Sequence, residues 1–464
     1  MSSKNDKPIT ITSFFTAVFN LMNAILGAGI VGLPYAASNL GYIFFGIMII
    51  IVGLIALYDI DLLLRLCKRL GTTSYEKIAV LSYGNFGKIY TCLVIFLHTL
   101  FAMCGFMFMV RYEGPPLIEG IIGYEKTCEG DDDLTGKPWY LNGTYLVFIT
   151  IIGIVAPLAS LKNIDFLGYT SGLGMFCMLA FTAVVIVYKF LITCPVTAYD
   201  GAQDFFETFS NISSNSGNSE ENSNSNCTVE DLYEDYAIEF YDLAQNQTCG
   251  AKSFTWTGQS VYALPNMLFA FQCHASCLPI YAELPKKSIK LMMKISFTAI
   301  SAVLIIYCLC SYFAYFTWYN VTMEEVLMMY TSLNPSDPLI IIARLCILIC
   351  VILSAPLLHY PCRKSVIKLF WKDDVEFSWI RHLLIMICIL ILVTVLVILL
   401  PGIQVIFGYA GAITANSLML ILPNLFYFKN GEPEKKVKRY VSLVAAVIGI
   451  IIMVGNTILL ALEG

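Results

Sequence analysis

The sequence predicts an all-α integral membrane protein of about eleven transmembrane helices. Composition, the length of the apolar runs and the distribution of basic residues all point to it. Hydrophobic residues fill 58% of the 464 positions and charged residues 13%, against roughly half and a quarter in soluble domains. A helix needs about 20 mostly apolar residues to cross the hydrocarbon, and backbone groups in lipid must pair internally. About eleven charge-poor runs satisfy that, at roughly 13–37, 42–64, 89–110, 145–161, 167–191, 257–282, 295–319, 338–360, 383–400, 403–428 and 441–462.

The first run is too long for a cleavable signal peptide, holds Asn20 and Asn23, and flows into a second span, so it belongs to the fold. A short tail (1–12) precedes a five-span half (13–192). A polar loop (193–256) leads to a second half (257–428), and a loop with an eleventh span (429–464) closes the chain. Lys and Arg favour cytoplasmic loops. Alternate loops put 22 of the 28 basic residues on one side, among them Arg65, Lys68, Arg69, Lys286, Lys290, Arg363, Lys368, Lys436 and Arg439. The N-terminus is therefore expected in the cytoplasm and the C-terminus outside or in a lumen.

Asn-x-Ser/Thr sequons stand at Asn142, Asn211, Asn226, Asn246 and Asn320, all on the side predicted to be outside. The 194–254 stretch is rich in Ser, Asn, Asp and Glu, as solvated loops are. Of the outside cysteines Cys128, Cys194, Cys227 and Cys249, a Cys227–Cys249 bridge is expected among several pairings. The other cysteines read as packing residues. The formal charge of −5 comes from acids gathered in loops, and a nucleic-acid partner is not expected. The partners are the bilayer and a small solute, met by a monomer.

The first span carries Asn23-Ala-Ile-Leu-Gly27-Ala-Gly29-Ile-Val-Gly32-Leu-Pro34-Tyr35 near half depth. Glycine weakens a helix by about 1 kcal/mol relative to alanine, so three glycines and a proline invite unwinding there, although close Gly-based helix contact would use the same residues. Span six carries Ala270-Phe-Gln272-Cys-His274-Ala-Ser276-Cys-Leu-Pro279 at the same depth. An odd number of spans per half inverts the halves, and paired breaks at corresponding positions point to an inverted-repeat transporter with its site between them. Free N–H groups around Ala28, Gly29 and Ile30 suit a carboxylate, and free carbonyls suit an ammonium or a bare cation.

Ionisable side chains are few. His98 reads as a packed histidine, and His274 is open between lining the site and a structural role. Arg344 must snorkel outward or pair internally, and its place about two turns from the outer end of span eight favours snorkelling or an outer gate. Asp59 and Asp61 read as interfacial ion pairs beside Arg65. Ser354 before Ala355-Pro356 offers a hydroxyl near a carbonyl freed by proline. No nucleophile and base fall together, so an enzyme is not expected. A channel lacks a repeated pore-loop motif. A nutrient sensor would be expected to carry a long cytoplasmic arm, where about a dozen residues precede the first span.

Phe19-Asn-Leu-Met-Asn23 through Pro34-Tyr35-Ala36, Phe269-Ala-Phe-Gln-Cys-His274-Ala-Ser-Cys-Leu-Pro279-Ile-Tyr281-Ala-Glu283, and Ser354-Ala-Pro356 with Tyr360-Pro-Cys-Arg363 resemble the sodium-coupled neutral amino acid transporter family. That family lies within the wider amino acid/auxin permease group, and the likeness covers essentially the whole chain. It implies a LeuT-like 5+5 inverted repeat plus an eleventh helix, and symport of Na+ with small neutral amino acids of the glutamine, alanine, serine and asparagine type. It places Asn23 and Ser354 at the sodium site. The backbone of Ala28 and Gly29, and that of Phe271, Gln272, His274 and Ser276, would surround the substrate. The family often has threonine where Ser354 stands, which keeps the hydroxyl. Proton-coupled relatives share the architecture, so H+ is the alternative coupling ion. The plasma membrane is expected ahead of the lysosomal membrane.

Overall fold

The structure, a computed structural model, describes residues 11–27, 29–123, 138–161, 167–192, 250–284, 287–323, 326–333, 337–371, 377–400 and 402–463. Ala28, Asn211, Asn226, Asn246, Cys227 and Cys249, together with Cys128 and Cys194, lie outside the described residues. Among the described residues the regular elements are all helical. Nine helices are long and apolar enough to cross a membrane, and ten if the bent pair Ser13–Ile25 and Gly29–Leu40 is one span. The sequence suggested about eleven. The difference is span six, which consists of two short helices, Ala263–Ala270 and His274–Glu283. Neither crosses about 30 Å of hydrocarbon alone at 1.5 Å per residue.

Several spans outrun their apolar stretches. Span two runs Tyr42–Leu70 and ends on Gly71, whose φ of 68° lies in the left-handed region open to glycine. Span three belongs to a helix Tyr75–Ile122 that is kinked at Tyr83 and Gly84, and Ser74 caps its start by accepting from the Lys77 N–H. Its upper end passes beyond Val110, through Glu113 and Pro115-Pro116, to Ile122. Span four begins on an Asn142 cap, and span eight, Pro338–Phe370, on an Asp337 cap with proline in the first turn. Span ten holds two π-helical stretches, Ala410–Ala415 and Ser417–Ile421, ahead of Leu422–Asn430. Such widened turns recur at functional sites.

Spans three and ten are the most enclosed, with 78% and 83% of their most apolar stretch buried, against 17% for span eleven. Span eight packs along spans three and five. Span seven, Ile289–Trp318, packs on spans two and five and on both halves of span one. The broken helices therefore sit inside a ring of continuous ones. Apolar side chains such as Phe190, Ile380, Leu399 and Leu462 face outward for lipid to cover.

Candidate functional site

The first helix of span one ends at Ile25 and the second begins at Gly29, with a 59° bend between them; the Ile30 N–H, expected to be free, reaches the Gly27 carbonyl at 3.3 Å. A Cβ on Gly29 would lie 3.0 Å from both Cα and Cβ of Ala270, and one on Gly27 would lie 3.3 Å from the Phe106 ring. Gly29 is thus what lets the start of one half-helix approach the end of another. In span six the Ala263–Ala270 helix ends, Phe271 and Cys273 leave helical geometry, and the chain restarts at His274. Two helix N-termini, at Gly29 and His274, and two C-termini, at Ile25 and Ala270, thereby lie within the membrane-spanning bundle.

The protein answers some of these poles itself. The His274 N–H reaches Gln272 Oε1 at 3.3 Å, and the N–H groups of Ser276 and Cys277 share the Cys273 carbonyl. At the C-terminal poles one hydroxyl serves both breaks. Tyr307 of span seven, fully buried, lies 2.9 Å from the Ile25 carbonyl and 3.1 Å from the Ala270 carbonyl. Its ring stands edge-on to Phe271 at 5.4 Å. Helix ends carry about half a unit charge each. The two breaks therefore carry helix poles of both signs inside the bundle.

The other predicted residues fall in separate places. Asn23 and Ser354 are each 8% exposed. A Cβ on Gly174 of span five would sit 3.1 Å from Asn23 Oδ1 and 3.4 Å from Cys350 Sγ, and Cys350 lies one turn from Ser354 and bonds to it. Spans one, five and eight thus meet beside the first break. Ile30 and Phe271 are buried outright. His274 is fully buried, its Nδ1 2.7 Å from Gln272 Oε1, and it is turned toward the backbone of Ala56 in span two. Ser276 is exposed. His98 lies 3.1 Å from the Thr414 hydroxyl of span ten and packs on Phe269. Asn142 is exposed, while Asn320 is half-buried next to a buried Thr322.

Exposure around the breaks is one-sided. In the halves Gly29–Leu40 and Ala263–Ala270, expected on the outer side, nearly every residue is buried. In the opposite halves, Ile11–Ile25 and His274–Glu283, Ala24, Ser276 and Pro279 are exposed. Asn39 ties the outer ends together, its side chain taking the Thr257 hydroxyl and its carbonyl the Ser260 hydroxyl, both at 2.7 Å.

Two charged residues are placed differently from the sequence reading. Arg344 does not snorkel: its Nε lies 2.9 Å from Glu113 Oε2, with both side chains at most 1% exposed. Asp61 pairs with Arg65 and Lys438, at 2.7 and 2.6 Å, but Asp59 is fully buried and pairs with the Asn424 amide instead. Sequence reasoning missed Glu113 because it lies beyond the apolar run, and it passed over Tyr307 as one polar group in an apolar helix.

The sequence model of a family described as "Transmembrane amino acid transporter protein" matches residues 10–217 and 236–462. Among curated proteins, "Sodium-coupled neutral amino acid transporter 4" of Homo sapiens is 36% identical over 472 residues, covering 97% of this chain and 84% of that protein. Its counterpart in Rattus norvegicus gives the same identity and coverage. The one in Mus musculus is 37% identical over 455 residues, covering 94% and 81%. This multi-pass chain belongs to the transmembrane amino acid transporter family, a family of carriers and not of enzymes.

Proposed function

We propose that the protein is a secondary active symporter that moves small neutral L-amino acids, of the glutamine, alanine, serine and asparagine type, together with Na+ by alternating access. The pair of interrupted spans carries this reading, because Tyr307 joins their two C-terminal poles and the Gly29 N-terminus lies against the Ala270 end. The substrate carboxylate would meet the N–H groups at Ala28 and Gly29, since the pole at His274 is already bonded within the chain. The substrate ammonium would meet the remaining lone pairs of the Ile25 and Ala270 carbonyls, which the Tyr307 hydroxyl holds in place. Few ionisable side chains surround the breaks, which favours a neutral side chain on the substrate. Na+ travels as a second substrate beside Asn23 and Ser354, where hard oxygen donors suit it.

In this reading the fold is a LeuT-like inverted repeat of halves 13–192 and 257–428, with an eleventh span outside it, working as a monomer in the plasma membrane. The buried outer halves and exposed inner halves fit an inward-facing state, with the N-terminus cytoplasmic and the C-terminus outside. The relatives' name, with its sodium coupling and neutral amino acids, supports the same assignment. Uptake of radiolabelled glutamine or alanine, with choline exchanged for sodium, tests it. Uptake that collapses without sodium is the expected result, and uptake unchanged by the exchange removes sodium from the mechanism.

A further inference from the structure

We infer that Asp59 of span two and Asn424 of span ten form a proton-binding site, neutral while enclosed as here and deprotonated when the two spans part. The inference rests on the carrier reading above and adds a proton to its cycle.

Asp59 and Asn424 are both fully buried. The Asn424 amide donates to Asp59 Oδ1 at 2.6 Å and to the Leu420 carbonyl at 2.7 Å, which uses both of its hydrogens. The remaining oxygens, Asp59 Oδ2 and Asn424 Oδ1, are buried and meet no hydrogen-bond partner among the described residues. Among the described residues no cation pairs with the carboxyl, and Arg65 and Lys438 pair with Asp61. The neighbouring titratable groups are Tyr58 on the same helix, facing Ser442 of span eleven, and Tyr75, whose hydroxyl donates to the Leu418 carbonyl of span ten. Tyr427 of span ten lies beneath Lys438. Spans six and seven bring Cys277 and Ser296 against Cys67, and the outer halves of spans one and six carry no charged residue.

A carboxylate enclosed with one neutral amide and no counter-charge is unfavourable by several kcal/mol, so the enclosed group carries its proton. A metal ion would need about six oxygen ligands, and only two oxygens lie idle here. The contact also ties span two to span ten, which pack along each other. Span two packs on span seven and on both broken spans, while Asn424 follows directly on the π-helical stretch Ser417–Ile421. Two residues further along, Asp61 and its partners mark the basic face of the bundle, which gives the proton a short route to water. Protonation favours the enclosed state, so acid on the cytoplasmic side populates it, and Asp59→Asn mimics acid at every pH.

The full chain in vesicles supplies two readouts. Infrared spectra at neutral pH should show the C=O band of a protonated carboxylic acid that disappears in Asp59→Asn. Amino acid uptake should vary with pH on the cytoplasmic face, by up to about tenfold per pH unit for one proton, and be flat in Asp59→Asn. If that variant does not reach the membrane, Asn424→Ala keeps the carboxyl and removes its partner, and should shift both the band and the pH profile. A spectrum without the band, or variants that keep the wild-type profile, overturns the site. Loss of sodium dependence with an intact pH profile also overturns it, in favour of a metal cation. The band requires no transport, so its presence without uptake would sink the carrier reading alone, and its absence alongside sodium-driven uptake would sink only this one.

Discussion

Arg344 and Glu113 form an ion pair with 2.9 Å between Nε and Oε2, buried between the first turns of span eight and the last turns of the span-three helix. Removing one member of such a pair leaves a buried charge uncompensated, at about 3–5 kcal/mol. Arg344→Gln and Glu113→Gln should each lower thermal stability in detergent by that order. The double substitution should recover most of the loss, because neither charge is then stranded. Losses that simply add in the double variant would show that the two side chains do not depend on each other.

Tyr307→Phe removes the hydroxyl shared by the Ile25 and Ala270 carbonyls and leaves the ring against Phe271. A buried acceptor stripped of its donor costs about 1–3 kcal/mol. The variant should fold and reach the membrane with moderately reduced stability. Uptake should suffer more, with a KM change of about five- to thirtyfold, since the hydroxyl holds the carbonyls that would face the substrate. KM measured against surface expression separates these effects, and an unchanged KM would make the hydroxyl purely structural.

The spans and the first break were legible because the bilayer reads hydropathy directly and because Gly27 and Gly29 announce unwinding locally, whereas Pro34 and Pro279, expected to help, sit inside the restarted helices Gly29–Leu40 and His274–Glu283. The interior charges were not. Asp61 is four residues before Arg65 and shares its helix face, so that pair follows from spacing. Asp59 is two residues earlier and points about 200° away, into the bundle, which no single helix pattern reveals. Glu113 and Pro115-Pro116 resemble a loop in isolation. Only Arg344 on a neighbouring span makes it favourable to continue that helix inward of water.

Gly29→Ala should abolish transport without preventing insertion. The new methyl would sit 3.0 Å from Ala270 Cα and Cβ, so backbone must move at the junction of the two half-helices. Overpacking of this kind costs about 1–3 kcal/mol, tolerable for folding and disruptive for a site built from backbone groups. Gly455→Ala in span eleven meets nothing within 4 Å and serves as the control. Surface labelling with uptake in the same cells reads both quantities, and a fully active Gly29→Ala would mean that the close approach is not required.

Ser354→Ala should raise the sodium concentration for half-maximal uptake while leaving the amino acid KM at saturating sodium nearly unchanged. Ser354 neighbours Cys350, which converges with Asn23 on the space beside Gly174, and the proposed sodium site draws on both oxygens. An interaction with a charged group contributes about 1.5–3 kcal/mol, which predicts a rise of roughly ten- to a hundredfold. Ser354→Thr keeps the oxygen and should stay near wild type, which separates a lost ligand from a disturbed helix. If sodium titration curves for the Ala and Thr variants superimpose, the hydroxyl has no part in binding the ion, and the cation site must be sought away from span eight.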